Sequence, residues 1–489
     1  MWRVLKDFYR ATRCKIRVGK GLTEEFSVEK GVKQGAVLSP ILFSIFINTL
    51  VEKLGETGLG VSMGRGTIES LFYADDIVLI TDKPKKMQTM LDVVTEYCRR
   101  WRCEINRGKS QVVVYGRKRG LKVRKWWLGG GELAQVEAYK YLGIEFERRG
   151  GWRKFRERML RKALRVSGLV KVMCRRNRML STDVKIMLWN GLVRPLLEYG
   201  AEIWGNRNWV EADRLQKKMG KFFLGVRPNT PDEMVLGDLG WKELRNRRTI
   251  LRLRYWKKIL GMGDERLTKR VYEEDRKRLR QVGSWSKETK AILEDLGLGE
   301  AWEKQDTGGS WAEWVDMVEK AMGEKEAKSW KKGCEEKTKL EGYRKVKSEK
   351  GKEKYLDVKD KMGRCLLARL RAGTNWLRIE QGRWVGEARE ERICRVCNEE
   401  VEDESHFLRR CPEYKDIREN AEKELRKRTD WKDGRESEEQ WERIFRGGEG
   451  TLEMINIVME FIKKAVAKRD RTLGTEIYKS IRMFEMFSK

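Results

Sequence analysis

The stretch Leu71-Phe72-Tyr73-Ala74-Asp75-Asp76-Ile77-Val78-Leu79-Ile80 sets two adjacent carboxylates between two short apolar runs. β-Branched and aromatic runs of this length read as buried strands, so the acids stand at the tip of a hairpin. Two carboxylates about 4 Å apart repel by roughly 1 kcal/mol in water, and by several times that in a partly desolvated cleft. Mg²⁺, a hard divalent ion, removes that repulsion and is a reagent of phosphoryl transfer. Alone, Tyr73-Ala74-Asp75-Asp76 fits an ordinary Asp-Asp turn equally well, and its company decides.

On either side of this hairpin the pattern alternates. Trp2, Leu5, Phe8 and Tyr9 recur at helical spacing, and Cys14 to Val18 and Glu25 to Val28 read as short strands around Gly19-Lys20-Gly21. A loop, Gly31-Val32-Lys33-Gln34-Gly35, leads to Ser39 as expected N-cap and Pro40 at the first helical position. Met87, Met90, Leu91, Val94 and Tyr97 mark an amphipathic helix ending near Trp101. A strand is expected at Gln111 to Tyr115, and Trp126 to Leu128 with Tyr141 to Phe146 as hairpin structure closing the same sheet. Helices alternating with antiparallel strands give an α+β class.

Beyond Gly151 the pattern turns helical. Trp152, Phe155, Met159, Ala163, Val166, Leu169 and Met173 form one expected apolar face, with Arg153, Lys154, Arg158, Arg161, Lys162 and Arg165 on the other. Such a helix suits a phosphate backbone or a plain solvated face. From about 262 to 390 Lys, Glu and Arg dominate, which reads as a helical or partly disordered connector.

Lys and Arg number 108 against 76 Asp and Glu, a formal net charge of +32 over 489 residues. This excess points to a polyanionic partner, nucleic acid or an acidic membrane surface, rather than to solubility alone. The 19 Trp and 14 Phe argue against a merely disordered basic chain, because aromatics build cores and stack on bases. The N-terminus has no apolar signal core, and Val37 to Val51 is interrupted by Ser39, Pro40, Ser44, Asn48 and Thr49 and too short to span a bilayer. The expectation is a soluble intracellular protein of nucleus or cytoplasm, with no membrane partner. Nine scattered Cys are no disulfide framework.

The loop and helix Gly31-Val32-Lys33-Gln34-Gly35-Ala36-Val37-Leu38-Ser39-Pro40, about 40 residues before the paired acids, resembles the second of the ordered palm motifs of reverse transcriptases, and the Asp75-Asp76 hairpin the third. Asn106-Arg107-Gly108-Lys109-Ser110 resembles the fourth, and Tyr139-Lys140-Tyr141-Leu142-Gly143-Ile144 the fifth, which grips the primer. The wording is similar to the non-LTR, or LINE-type, retrotransposon branch. Val193-Arg194-Pro195-Leu196-Leu197-Glu198-Tyr199-Gly200 and Gly237-Asp238-Leu239-Gly240-Trp241 resemble segments that follow the polymerase in such elements.

The resemblance implies that Asp75 ligates catalytic Mg²⁺ with Asp76 beside it, that Gln34 and Gly35 contact the templating base and incoming nucleotide, that Lys109 lies near the triphosphate, and that Leu142 and Gly143 position the primer end. It implies an RNA template, a DNA primer or target and dNTP as partners. Two-metal phosphoryl transfer needs carboxylates holding ions about 3.5–4 Å apart, with a cation to offset the departing charge. In the family a further metal-binding Asp precedes the Gln-Gly loop on the first palm strand. Of the acids before Gly31, Asp7 falls on the opening helix and Glu24, Glu25 and Glu29 lack strand context. The chain therefore reads as starting after that motif and after the fingers, with poor or no polymerisation expected.

Cys394-Arg395-Val396-Cys397, then eight residues, His406, four residues and Cys411 form a closed Cys-Cys-His-Cys set suited to structural Zn²⁺. It resembles the module near the C-terminus of LINE-type polymerase proteins, and Arg392, Arg395, Arg409 and Arg410 around it favour phosphates. The expected organisation is a partial palm at 1–150, a helical thumb and post-polymerase region at 151–261, the connector at 262–390, the zinc module at 391–415 and a helical tail at 416–489. The expected function is that of a reverse transcriptase fragment, inactive by itself. The alternative is a catalytically silent RNA- or DNA-binding relic.

Overall fold

The computed structural model describes residues 2–10, 12–28, 31–33, 35–64, 66–116, 123–177, 180–205, 208–278, 283–431 and 450–481. The chain divides into two compact units, residues 1–151 with 264–277, and 152–263 with 278–489.

The first unit is mixed α and β. It opens with α1 (Trp2–Arg10) and four two-residue strands, β1 (Arg13–Cys14), β2 (Arg17–Val18), β3 (Gly21–Leu22) and β4 (Phe26–Ser27). Then come α2 (Ser39–Glu56), β5 (Val61–Met63), β6 (Gly66–Ile68), β7 (Ser70–Tyr73), β8 (Asp76–Leu79) and α3 (Pro84–Trp101). The last part holds β9 (Gln111–Val113), β10 (Trp126–Leu128), β11 (Gly131–Val136), β12 (Ala138–Tyr141) and β13 (Ile144–Glu147).

Leu50 and Leu54 of α2 meet Met90, Leu91, Val94 and Tyr97 of α3 over Val112, Trp126, Leu128 and Leu133. Tyr97 fastens the two helices by donating its hydroxyl to the Phe46 carbonyl at 2.8 Å. These apolar positions recur at 3.6-residue spacing on α3 and alternate on the strands, which is why one core collects both kinds of element.

Three expectations change here. The strands do not close one sheet: among the described residues they form small separate sheets, β7 with β8 and β12 with β13 as antiparallel pairs, and β10–β11–β9 with β11 parallel to β9. The flanks of the paired acids are only half-buried, with Ile77 and Tyr73 exposed, because a two-stranded ribbon has an open face. Ser39 is the first helical residue and not the cap, its hydroxyl donating instead to the Lys33 carbonyl.

The second unit is helical. It contains α4 (Arg153–Arg176), α5 (Thr182–Leu188), a π-helical turn Trp189–Val193, α6 (Arg194–Glu198), α7 (Ala201–Trp204), α8 (Val210–Leu224), α9 (Asp232–Leu239) and α10 (Leu244–Leu260). The π turn lies just ahead of Pro195, whose missing N–H cannot continue the α ladder. On α4 the buried row is Phe155, Met159, Ala163, Ser167, Val170 and Cys174, and Leu169 and Met173 face out. The expected row drifted off this face because apolar residues occur on both, and the real contact follows steps of four with one of three at Val170, the ridge that packs into a neighbouring helix.

The charged stretch expected as a connector is helical and contributes to the core. Helix Trp311–Glu335 buries Trp314, Val318, Met322, Trp330 and Cys334. Several charges of the stretch are matched in pairs: Glu326 with Lys350, Lys347 with Glu353, and Lys352 with Asp183 at 2.5 Å. Helix Leu452–Leu473 packs on Lys361–Arg371 and Lys415–Arg428.

Candidate polymerase hairpin and metal centre

The paired acids sit where register predicts. Tyr73 pairs with Asp76 across a two-residue turn, Ala74-Asp75, with Ala74 at φ 51. A tight two-residue hairpin turn needs positive φ, and an alanine there carries a steric cost that glycine would not. Both carboxylates are exposed at the tip.

A second hairpin of the same build belongs to the same unit. Tyr141 pairs with Ile144 across Leu142-Gly143, at φ 46 and 79. Burial first, and then the charge of Asp76, raise the Tyr141 phenol above its ordinary range, so Asp76 lies within electrostatic reach of this hairpin. The Tyr139 hydroxyl donates to the Lys109 carbonyl at 3.0 Å. Lys109 ends a short 3₁₀ turn closed by the Asn106 side chain, which accepts the Lys109 N–H at 3.1 Å. Lys109's ammonium is exposed and has no partner among the described residues. Lys109 and the Leu142-Gly143 turn are thus linked through one hairpin, β12–β13, whose Tyr141 feels the charge of Asp76.

Gly35 has φ 82 in the loop ahead of α2, a value that favours glycine. The loop is tied to α2 through Ser39 and Lys33, and Lys33's ammonium lies 4.1 Å above the Phe8 ring. Gln34 lies outside the described residues, as does Glu29. Asp7 is on α1, and Glu24 and Glu25 stand exposed between β3 and β4. Among the described residues the only group of three or more potential ligands close enough to share an ion is the cysteine and histidine set, so no third carboxylate joins Asp75 and Asp76 there.

That set is Cys394, Cys397, His406 and Cys411, whose ligand atoms all lie within 4.8 Å of one another. A tetrahedral zinc with Zn–S bonds of about 2.3 Å places its sulfurs about 3.8 Å apart, so the donors fit with little movement. The loop folds this way for local reasons. Asn398 takes the left-handed conformation, φ 61, and its N–H donates to the Cys394 carbonyl at 2.8 Å, while the Cys394 N–H donates to Glu400 at 2.8 Å. Hydrogen bonds from Cys411 and His406 hold the Cys394 thiol far below the usual thiol range.

His406 Nε2 is 3.4 Å from Cys397 Sγ, and its Nδ1 lies 3.3 Å from a Glu400 oxygen, the outer partner that orients a metal-bound imidazole. All four positions being side chains, a bound Zn²⁺ would be structural, supplying folding energy and no open coordination site.

Sequence reasoning missed how deeply this module is built in. Phe407 touches Trp376, Tyr414 and Phe461 edge-on or tilted. Glu402, fully buried, pairs with Arg469 of helix Leu452–Leu473 through both oxygens, and burial pushes its carboxyl up to about 7 against the pull of that arginine. A buried Glu and Arg in a charged sequence carry no periodic signal. Of the four arginines read as phosphate ligands, Arg392 donates to the Glu387 and Ile379 carbonyls and Arg410 pairs with Glu400, and Arg409 is also engaged. Arg395 alone of the four has a free guanidinium among the described residues.

Residues 2–146 match the family described as reverse transcriptase (RNA-dependent DNA polymerase). The chain is 26% identical over 216 residues to the RNA-directed DNA polymerase from mobile element jockey of Drosophila funebris, covering 42% of this chain and 22% of that protein. It is 30% identical over 136 residues to the Pol polyprotein of the R2DM retrotransposable element of Drosophila melanogaster, covering 26% of this chain and 13% of that one. To the probable RNA-directed DNA polymerase from transposon X-element of Drosophila melanogaster it is 26% identical over 236 residues, 45% of this chain and 25% of the relative. The matched stretch therefore spans a quarter or less of each of these relatives. Among the described residues no helix is long and apolar enough to cross a membrane.

Proposed function

We propose, for a chain whose residues 2–146 belong to the reverse transcriptase family in its non-LTR retrotransposon branch, that it holds an RNA template and DNA primer as part of an RNA-directed DNA polymerase. The observations that carry this are two tight hairpins in one unit, Tyr73 paired with Asp76 and Tyr141 with Ile144, the second bonded to Lys109 through Tyr139. In this reading Asp75 and Asp76 hold Mg²⁺, which when bound activates the primer hydroxyl and screens the phosphates. Gln34 and Gly35 face the templating base and dNTP, Lys109 offsets the triphosphate, and Leu142-Gly143 seats the primer end.

Two ions held in line require a further carboxylate, and none joins Asp75 and Asp76 among the described residues. Strand synthesis by this chain alone is accordingly weak or absent. That same observation favours a second reading, a catalytically silent nucleic-acid-binding protein that uses the basic α4 and the zinc module. Division into palm at 1–150, thumb at 151–261, linking region at 262–390, zinc module at 391–415 and tail at 416–489 belongs to the proposal, as does a nuclear or cytoplasmic location.

Both readings require binding of RNA or DNA whose affinity falls steeply with salt, because Lys and Arg displace condensed counterions. Titration of a labelled RNA–DNA duplex and of a single-stranded RNA, each over about 50 to 200 mM salt, the range over which such contacts weaken, tests this. Binding independent of salt, or none at the low end, refutes both.

A further inference from the structure

We propose that a cavity beside the cysteine knuckle in the second unit receives one nucleotide of a single-stranded nucleic acid. The proposal rests on the nucleic-acid-binding reading above and adds a site to it. The cavity holds about 330 Å³, and sites for small organic groups begin near roughly 300 Å³. Its wall is drawn from four distant segments: Arg227 beyond the end of α8, Arg369 on helix Lys361–Arg371, Arg395 between Cys394 and Cys397, and Arg469 on helix Leu452–Leu473, together with Trp376 and Gln381.

The arginines divide into two kinds. Arg369 and Arg469 are 3% and 2% exposed and already engaged, the first donating to the Gly225 carbonyl at 3.1 Å and the second to Glu402. They are fixed parts of the wall. Arg227 and Arg395 are more open, and neither guanidinium has a partner among the described residues. Glu476, the acid on the wall, is paired with Lys479 at 3.0 Å. Two free planar forks suit the two non-bridging oxygens of a phosphodiester.

The rest of the wall suits a base. Trp376 is 3% exposed and packs edge-on against Phe407 at 5.9 Å, and its buried indole N–H finds no acceptor among the described residues. A buried donor without an acceptor is costly, so such a group marks a place for an incoming polar partner. Gln381 adds an amide with both donor and acceptor. An anion alone would use neither Trp376 nor Gln381, and a cavity of this size excludes a duplex. An unpaired strand presents phosphate and base edge together. Arg395 sits on the knuckle loop itself, so folding of the metal module places one of the two free forks.

Fluorescence anisotropy of the full chain with a labelled single-stranded RNA of about ten nucleotides, and with a duplex of the same length, tests the site. The double variant Arg227→Ala/Arg395→Ala is expected to bind the single strand about tenfold more weakly with a flatter salt dependence, and the duplex within about twofold of wild type. Trp376→Phe, which keeps an aromatic ring but removes the indole N–H, is expected to weaken single-strand binding a few-fold, and duplex binding much less, measured at a temperature where the slightly destabilised variant remains folded. Equal loss on both nucleic acids, or loss on neither, overturns the proposal while wild-type binding leaves the broader reading standing. Failure of the wild type to bind either nucleic acid removes both. Competition by uridine monophosphate as effective as by the unlabelled strand would assign the cavity to free nucleotides and overturn it as well.

Discussion

Asp238 and Arg371, 133 positions apart, meet in a two-pronged salt bridge of 3.0 and 2.9 Å with both side chains sealed from solvent. The Tyr343 and Tyr355 hydroxyls donate to the same carboxylate, each at 2.9 Å, and the Arg371 guanidinium lies over both rings at 5.4 Å. The Gly237 and Asp238 carbonyls accept the N–H groups of Gly351 and Glu353. Gly237-Asp238-Leu239-Gly240-Trp241 is therefore a clasp that closes the charged stretch onto α9.

Removing one member of a fully buried pair leaves an uncompensated charge, at a cost of about 3–5 kcal/mol. Because Arg371 keeps Glu353 at 3.5 Å as a second partner, Asp238→Ala is expected to lower the unfolding free energy of the second unit, read from urea titration, by about 3 kcal/mol, the lower end of that range. Tyr355→Phe, which removes one donor, is expected to cost about 1 kcal/mol. A loss below about 1 kcal/mol for Asp238→Ala would show that the clasp contributes no net stability.

That clasp also marks the limit of what the residues reveal before folding. The Asp75-Asp76 hairpin, α3 and the Cys394 to Cys411 set were legible because short-range rules govern them: strand runs around a turn, apolar residues at helical spacing, thiols at metal spacing. Asp238 paired with Arg371 was not, since a lone Asp and a lone Arg among 76 acids and 108 bases carry no pattern. The face of α4 was misplaced for a related reason. Ser167 and Cys174 are buried where Leu169 and Met173 were expected, and only the neighbouring helices decide between them. Ser39 likewise gave up capping because the Lys33 carbonyl of a glycine-bounded loop lay within reach.

Zinc removal should act well beyond the knuckle. The four donors include three buried side chains, and Phe407, next to His406, carries contacts to Trp376, Tyr414 and Phe461. One Zn²⁺ per chain is expected by atomic absorption, and His406→Ala should lose it. Chelation should red-shift tryptophan emission as Trp376 becomes wet, and should lower the unfolding temperature. Full metal content in His406→Ala, or chelation without spectral change, would refute a structural centre.

Lys185 offers a pH dependence whose sign can be worked out. It is 5% exposed on α5, has no acidic partner among the described residues, and burial lowers its ammonium pKa. The folded state then binds fewer protons than the unfolded one between that lowered value and the ordinary lysine value of about 10.4. Stability should rise with pH across that window, and be lowest where the lysine is charged in both states. Lys185→Met is expected to gain about 1–3 kcal/mol at neutral pH and to flatten the rise. Urea unfolding of both proteins between neutral and alkaline pH measures it, and a variant less stable than wild type at neutral pH would show that the charge is compensated.

The most direct test of the account is Mg²⁺-dependent primer extension on an RNA template by this chain alone. With Asp75 and Asp76 at an exposed tip and no third carboxylate beside them among the described residues, the expected result is salt-sensitive binding of the primer–template with little or no extension. Robust synthesis that disappears in Asp75→Ala would contradict it, and would mean that these two acids complete the metal site with a group of this chain not yet assigned.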